Sequence, residues 1–266
     1  MEPLLRWLHA GNRGYMHGHA DTNAHNTKAI NGTSSGAFAD DLICLSGSYQ
    51  NPQLQTMKLT QYADWAHLII SGKKTKVICM YHSGENKILR GNTSVTDFVH
   101  HQLANKVLVQ GQAAQFLQPD DPFPYLGVYI TMDLNWSHQL THMTAKLSLK
   151  LERLKNYFAS PQQTMDIICT AIVPSIADSF PVTPCSLSVL NQWNTQIMAA
   201  IKSKYKLWMC TSTALLRENK LHYGLGCSSL RIEYHYRNTL GLITSLNNRA
   251  KHGRLTKTLL EHKLSN

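Results

Sequence analysis

The segment Ser35-Gly36-Ala37-Phe38-Ala39-Asp40-Asp41-Leu42-Ile43-Cys44-Leu45 predicts a β-hairpin that turns at two adjacent carboxylates. Apolar residues lead into and out of the pair, which is typical of two buried strands joined by a tight turn. Because successive side chains on a strand point to opposite faces, adjacent aspartates fit a turn better than one face of a strand. A turn that exposes Asp40 and Asp41 supplies paired oxygen ligands, which suit Mg²⁺ held through carboxylates and substrate phosphates. The alternative is a solvated hairpin turn without a ligand.

The charge of the chain is unevenly distributed along its 266 residues, a length that allows one large domain or two small ones. Residues 1–133 hold ten Lys and Arg and ten Asp and Glu, whereas residues 134–266 hold sixteen against six. The whole net charge of +10 therefore lies in the second half. This asymmetry favours a polyanionic partner, nucleic acid before membrane, although a lysine-rich helical surface in water has the same composition.

Cysteine spacing and the distribution of apolar residues predict an intracellular protein that is not secreted. The six cysteines form no Cys-x-x-Cys pair and are typical of small apolar residues in a reducing compartment. The N-terminus lacks the basic region of a signal peptide, and no run of about 18 apolar residues predicts a membrane span. We therefore expect no membrane partner. Composition does not separate a nuclear from a cytoplasmic location.

Local patterns predict a mixture of helices and short strands in the first half of the chain. A short amphipathic helix is expected over 3–10. Apolar spacing from Leu54 to Leu68 predicts a second helix, which Ser71-Gly72 ends. Alternating apolar residues predict a strand over 76–81, and β-rich composition predicts extended chain over 125–131.

From residue 136 onward the pattern becomes helical. A long amphipathic segment spans 136–158, Ser160-Pro161 is a suitable cap and first turn for the next helix, and further helices are expected over 187–205 and 230–247. Basic residues recur at helical spacing in the first of these helices and cluster at the end of the third: Lys146, Lys150, Arg153, Lys155, Lys202, Lys204 and Lys206. They suit phosphate contacts, which position nucleic acid without reading its sequence, and a solvated charged face is the alternative.

Several of these motifs, in this order, resemble the reverse transcriptases of non-long-terminal-repeat (LINE-like) retrotransposons. Phe38-Ala39-Asp40-Asp41 resembles motif C of the polymerase palm. Lys74-Thr75 resembles motif D, although Ser71 stands where the family usually has Asn. The Tyr-Leu-Gly within residues 124–131 resembles motif E, the primer grip. The later helices resemble the thumb of that family, so the resemblance covers nearly the whole chain.

The resemblance implies an α+β fold. A partial polymerase palm, an antiparallel sheet with helices, would occupy residues 1–132, and an all-helical thumb and C-terminal region would occupy 133–266. The implied function is RNA-directed DNA polymerase, a nucleotidyltransferase that uses two metal ions, with an RNA template and a DNA primer as partners. The implied site comprises Asp40, Asp41 and Lys74 as catalytic residues, both aspartates as Mg²⁺ ligands, and Tyr125, Leu126 and Gly127 as the primer grip.

The same resemblance places two parts of the polymerase before residue 1. These are motif A, with its own metal-binding aspartate, and the fingers, which hold the incoming nucleotide. Without them Mg²⁺ would be incompletely liganded, and a deoxynucleotide would bind only if the fingers were supplied. We therefore expect a reverse transcriptase fragment with little or no activity alone. The alternatives are a non-catalytic, basic, nucleic-acid-binding remnant of such an element, and a degenerate element without a selected function.

Overall fold

The computed structural model describes residues 4–5, 8, 15–17, 31–33, 35–46, 51–78, 107–118, 120–249 and 251–264. The chain divides into two compact units. The first unit comprises Met1–Leu126 and Thr131–Leu134, and the second comprises Gly127–Ile130 and Asn135–Asn266. The mixture of helices and short strands agrees with the α+β class expected from the sequence.

Strands of the first unit pair two by two within the described segments. The antiparallel pairs are β1 (Tyr15–His17) with β2 (Asn31–Thr33), β3 (Ser35–Phe38) with β4 (Asp41–Cys44), and β6 (Leu108–Val109) with β7 (Gln112–Ala113). In contrast, β5 (Lys76–Ile78) pairs in parallel with β8 (Gln115–Leu117). The described part of the expected antiparallel sheet is therefore a set of separate pairs, one of them parallel.

The helix expected from Leu54 to Leu68 is present as α1 (Asn51–Trp65), but it ends at Trp65, before Leu68 and before the Ser71-Gly72 stop that the sequence predicted. Beside it lies the β6–β7 hairpin, whose Val109 side chain is fully buried. The hairpin turns at Gln110 and Gly111, whose φ angles are 47° and 77°. Two consecutive positive φ angles are typical of a type I′ turn, whose twist matches that of the strands it joins. Leu4, Leu5 and Leu8 are also helical, in agreement with the helix expected over 3–10.

The second unit is almost entirely helical beyond β10 (Val128–Ile130). Its helices are α2 (Ser137–Asn156), α3 (Pro161–Ile167), α4 (Val173–Ala177), α5 (Leu187–Lys204), α6 (Thr213–Arg217), α7 (Leu230–Asn247) and α8 (Lys251–Leu264). A π-helical turn at Ile168–Ile172 joins α3 to α4. The structure confirms the helices expected over 136–158, 187–205 and 230–247, whereas α8 was not expected. Among the described residues, no helix has both the length and the apolar character needed to cross a membrane.

The start of α3 shows why the local signals in this unit were reliable. The Ser160 hydroxyl accepts a hydrogen bond from the Gln163 amide, and the Gln163 side chain accepts one from the Ser160 amide. This capping box satisfies two amides that the helix leaves unpaired at its first turn. Pro161, which follows the cap, fits the first helical position because its missing N–H is not needed there. The cap and first turn predicted at Ser160-Pro161 are therefore confirmed.

Helices α2 and α5 lie side by side and run in the same direction. Near their N-terminal halves, the indole Nε1 of Trp193 on α5 donates a 3.0 Å hydrogen bond to Thr144 Oγ1 on α2. At their C-terminal ends, Lys204 Nζ donates a 2.8 Å hydrogen bond to the Tyr157 carbonyl. Trp193 is fully buried in the core of the unit, where an unpaired indole N–H would be costly.

Asn194 joins α5 to the start of α7. Its side chain is buried, its Oδ1 accepts a 3.0 Å hydrogen bond from the Leu230 amide, and its Nδ2 donates to Ser229 Oγ at 3.3 Å. The Leu230 amide belongs to the first turn of α7 and has no partner within that helix. Asn194 therefore caps a helix that begins 36 residues further along the chain.

Replacing Asn194 with Ala should destabilise the second unit by roughly 1–3 kcal/mol, because the buried Leu230 amide loses its acceptor. Urea denaturation followed by helical circular dichroism measures the change. Asn191→Ala is the matched control, since Asn191 lies exposed one turn earlier on the same helix, and it should change stability by less than about 0.5 kcal/mol. Equal effects of the two substitutions would contradict the capping role.

Candidate functional site

The two adjacent aspartates lie at a tight turn, as the sequence predicted. In the β3–β4 register Phe38 is opposite Asp41, so the turn consists of Ala39 and Asp40. Ala39 has a φ of 51°, a left-handed conformation that costs a residue with a Cβ roughly 1–2 kcal/mol. Asp40 and Asp41 are both exposed at the tip. The hairpin therefore exposes one carboxylate in its turn and a second at the first position of β4, on a backbone that carries local strain at Ala39.

The second part of the site is Tyr125, whose hydroxyl pKa is affected by the charge of Asp41. The pKa of the Tyr125 hydroxyl is raised, mainly because burial disfavours the tyrosinate and also because the negative charge of Asp41 opposes it. A charge must lie close to act on a hydroxyl in this way. Asp41 and Tyr125, which are 84 positions apart in the sequence and belong to the stretches that resemble motifs C and E, therefore lie near enough in the first unit for this charge to act.

The turn that follows Tyr125 contains Leu126 and Gly127. Their φ angles are 49° and 77°, and the strands β9 (Phe123–Tyr125) and β10 flank them. Glycine adopts such an angle without cost, whereas Leu126 is strained there and its side chain is exposed. The β-rich run expected over 125–131 is thus two short strands separated by a turn. The primer-grip role of Tyr125, Leu126 and Gly127 stays a prediction.

The loop that carries Lys74 begins at the end of α1 and is held by short-range hydrogen bonds. The Lys74 amide donates to the Ser71 carbonyl at 3.1 Å, and both the amide and the hydroxyl of Thr75 donate to that carbonyl at 3.0 Å. The chain then enters β5, where the strand expected over 76–81 is confirmed for Lys76–Ile78 and its remainder lies outside the described residues. The Lys74 side chain is exposed, so its ammonium is accessible from solvent.

Gln110 holds the segment between α1 and this loop in place through hydrogen bonds, and the sequence did not indicate that role. Its Oε1 accepts a 2.8 Å hydrogen bond from the Ile70 amide, and its Nε2 donates to Asp64 Oδ1 at 3.0 Å and to the Leu68 carbonyl at 2.8 Å. One side chain therefore ties the β6–β7 turn to the chain that leaves α1. Gly111 is of a residue type typical of turns, but nothing in the sequence around it indicates these partners.

The donor set at the aspartate turn is chemically suited to Mg²⁺. This ion is commonly bound through one or two carboxylates, with substrate phosphates and water completing an octahedron. Asp40 and Asp41 are exposed and adjacent, which is compatible with that mode. In the segments that the structure describes, no group of three or more His, Cys, Asp or Glu side chains is placed to hold a metal ion.

The predicted phosphate-binding residues of the second unit differ in their surroundings. Three ammonium groups donate to backbone carbonyls: Lys146 to Ser175 at 2.8 Å, Lys202 to Met209 at 2.7 Å, and Lys204 to Tyr157 at 2.8 Å. Lys202 is also buried, with only 7% of its surface exposed. Arg153, Lys155 and Lys206 are exposed and Lys150 is half-buried. These four side chains are therefore better placed for phosphate contacts than the other three.

No protein-family model matches the chain, and a search among curated proteins found no match. The resemblance to reverse transcriptases therefore rests on the motifs themselves and on their order.

The proximity of Asp41 to Tyr125 predicts a measurable coupling between the two motifs. Asp41→Asn should lower the pKa of Tyr125 while leaving it above its usual value, because burial is the larger cause of the shift. An NMR titration of the tyrosine ring carbons, with the Tyr125 signal assigned from Tyr125→Phe, measures the change. Asp40→Asn, which removes the neighbouring charge, should leave the Tyr125 pKa unchanged. If Asp41→Asn left the pKa of Tyr125 unchanged, Asp41 and Tyr125 would not lie close together.

Proposed function

We propose that the chain contributes the motif C, D and E part and the thumb of an RNA-directed DNA polymerase of the LINE-like type. The observation that carries the proposal is the β3–β4 hairpin, which exposes Asp40 in its two-residue turn and Asp41 at the start of β4, near enough to Tyr125 for the charge of Asp41 to raise the pKa of that hydroxyl. A tight turn with paired carboxylates, close to a tyrosine that begins a second turn, supports the proposal because nucleotidyl transfer needs metal ligands near the primer end.

Each motif has a role in this proposal. Asp40 is the principal metal ligand, and Asp41 supports the turn or the second metal. Bound Mg²⁺ supplies stabilisation of the attacking 3′ oxygen and of the leaving pyrophosphate. Lys74 neutralises or protonates the pyrophosphate, for which an exposed ammonium on a hydrogen-bonded loop is suitable. The Leu126-Gly127 turn offers backbone that a primer end can approach closely.

The basic second unit corresponds in this proposal to the thumb, which holds the RNA template and the DNA primer. Phosphate contacts of this kind position a duplex but carry no sequence information. The residues that best support it are Lys150, Arg153, Lys155 and Lys206. The other three basic residues already donate to carbonyls of their own chain, so their ammonium groups would contribute mainly through longer-range charge.

A non-catalytic nucleic-acid-binding protein is the second candidate. It is favoured by the segregation of the whole net charge of +10 into residues 134–266. It needs the basic surface but not the aspartate turn, and the two proposals therefore differ in their dependence on Asp40. A carboxylate equivalent to that of motif A, encoded in frame before Met1, would favour the polymerase.

Primer extension on an RNA template with Mg²⁺ separates the two candidates. We expect no extension by the chain alone. We expect extension when the fingers and motif A of a LINE-like reverse transcriptase are fused before Met1. Asp40→Ala should abolish that extension, and Lys74→Ala should slow it by about a hundredfold or more, because general-acid assistance has that magnitude. Lys73→Ala, which alters the neighbouring exposed lysine, is the matched control. Extension that survives Asp40→Ala would contradict the proposal.

The salt dependence of primer–template binding checks the basic surface independently of chemistry. Binding should weaken steeply between about 50 and 200 mM salt, and Arg153→Ala should reduce the slope of log K against log salt by about one. The loss should be similar for all template sequences, because phosphates are the same in each. Lys257→Ala removes an exposed lysine on α8 and should leave the slope nearly unchanged. If Arg153→Ala left the slope of log K against log salt unchanged, Arg153 would be excluded from the primer–template interface.

A further inference from the structure

The C-terminal ends of α2 and α5 meet at one place on the second unit. Lys204, the last residue of α5, donates its Nζ hydrogen bond to the carbonyl of Tyr157, the residue that ends α2. Both helices therefore present the negative ends of their dipoles here, and basic side chains are favoured beside such ends. Arg153 and Lys155 in the last turn of α2 and Lys206 just beyond α5 supply exposed positive charge.

The loop that follows α5 is held to the end of that helix by hydrogen bonds. The Lys206 amide donates to the Ser203 carbonyl at 3.2 Å and the Leu207 amide donates to the Lys202 carbonyl at 2.8 Å, which together form a Schellman motif. Lys206 has a φ of 52°, the left-handed angle that the motif requires and that glycine usually supplies. The buried Lys202 ammonium holds the Met209 carbonyl at 2.7 Å, beyond the Trp208 position.

This fixed loop and the neighbouring helix end expose large aromatic side chains. Trp208 is 82% exposed, Tyr157 is 62% exposed and Phe158 is fully exposed. An indole held out on an ordered loop loses hydrophobic stabilisation that burial would provide, so its exposure is costly to the isolated chain. Aromatic rings interleaved with Arg and Lys are the composition of surfaces on which unpaired bases stack while phosphates bind the cations.

We propose that the joined ends of α2 and α5 bind single-stranded nucleic acid. Trp208 and Phe158 stack on bases, and Arg153, Lys155 and Lys206 contact the phosphates. The proposal deepens the nucleic-acid function proposed above by naming an unpaired strand as the ligand of this surface. It does not depend on the aspartate turn or on catalysis. A duplex shares the phosphate contacts of this surface but not the stacking contacts, because its bases are already stacked on each other and do not present their faces.

Fluorescence anisotropy with a labelled oligothymidylate and the full chain, without Mg²⁺ or nucleotides, tests the proposal. Trp208→Ala should weaken single-strand binding roughly tenfold, as expected for the loss of one stacked base, and should weaken binding of a duplex much less. Trp65→Ala is the matched control, because Trp65 is an equally exposed indole (76%) on α1 of the first unit. Equal losses for Trp65→Ala and Trp208→Ala, or equal losses for the single strand and the duplex, would overturn the proposal.

Tryptophan fluorescence distinguishes stacking from a general effect on folding. Saturating oligothymidylate should quench the wild-type emission. Trp208→Phe should keep the affinity within about threefold, because Phe also stacks, but should lose most of the quenching. Retention of the full quenching in Trp208→Phe would show that bases do not reach this residue. If Trp208→Ala lost affinity for anionic phospholipid vesicles but not for the oligonucleotide, the ligand of this surface would be a lipid membrane, and the proposal would be overturned.

Lys206→Gly gives a test in which stability and binding change in opposite directions. Glycine relieves the left-handed strain of this position, so the midpoint of thermal unfolding should rise. The same change removes a phosphate contact, so single-strand affinity should fall severalfold and its salt dependence should become shallower. A variant that is more stable and binds as well as the wild type would exclude Lys206 from the site. None of these outcomes depends on whether Asp40 supports primer extension.

Discussion

The second unit depends on the packing of α2 against α5 around Trp193. The indole is fully buried and its N–H must find a partner, and Thr144 on α2 supplies the acceptor. This one contact fixes which turns of the two helices lie side by side. Because both helices run in the same direction from this contact, their C-terminal ends lie next to each other. Residues 157–186 connect the end of α2 to the start of α5. The shared end, with its concentration of unpaired carbonyls, follows from that arrangement.

That end also explains the distribution of charge. Seven basic residues share a helical spacing or a short cluster in the sequence, yet their environments differ. Lys202 and Lys204 donate to the Met209 and Tyr157 carbonyls, where they hold the loop after α5 and the end of α2 in place. Their positive charge is used within the unit, and it stabilises two helix ends by the dipole effect. Arg153, Lys155 and Lys206 remain exposed and can act on a partner.

The predictable features were those determined by neighbours along the chain. The Asp40-Asp41 turn, the Ser160 cap and the amphipathic helices α2, α5 and α7 depend on residues within a few positions, and their signals were present in the sequence. The parallel pairing of β5 with β8, the ties made by Gln110 and the burial of Lys202 depend on residues brought together by folding. A lysine that donates to a backbone carbonyl and a lysine that is exposed to solvent can have the same spacing in the sequence. The pattern of charge could therefore not distinguish the two kinds of lysine.

Two residues with a Cβ and a left-handed backbone differ in what their side chains contact. Gln110 has a φ of 47°, and its side chain makes three hydrogen bonds, one to Asp64 in the last turn of α1 and two to the chain that follows the helix. Lys206 has a φ of 52°, but among the described residues its ammonium has no hydrogen-bond or ion-pair partner that could offset the strain. Glycine would hold the same Schellman motif at lower cost. The phosphate contact proposed above would give this strained position a use for a long cationic side chain that glycine could not supply.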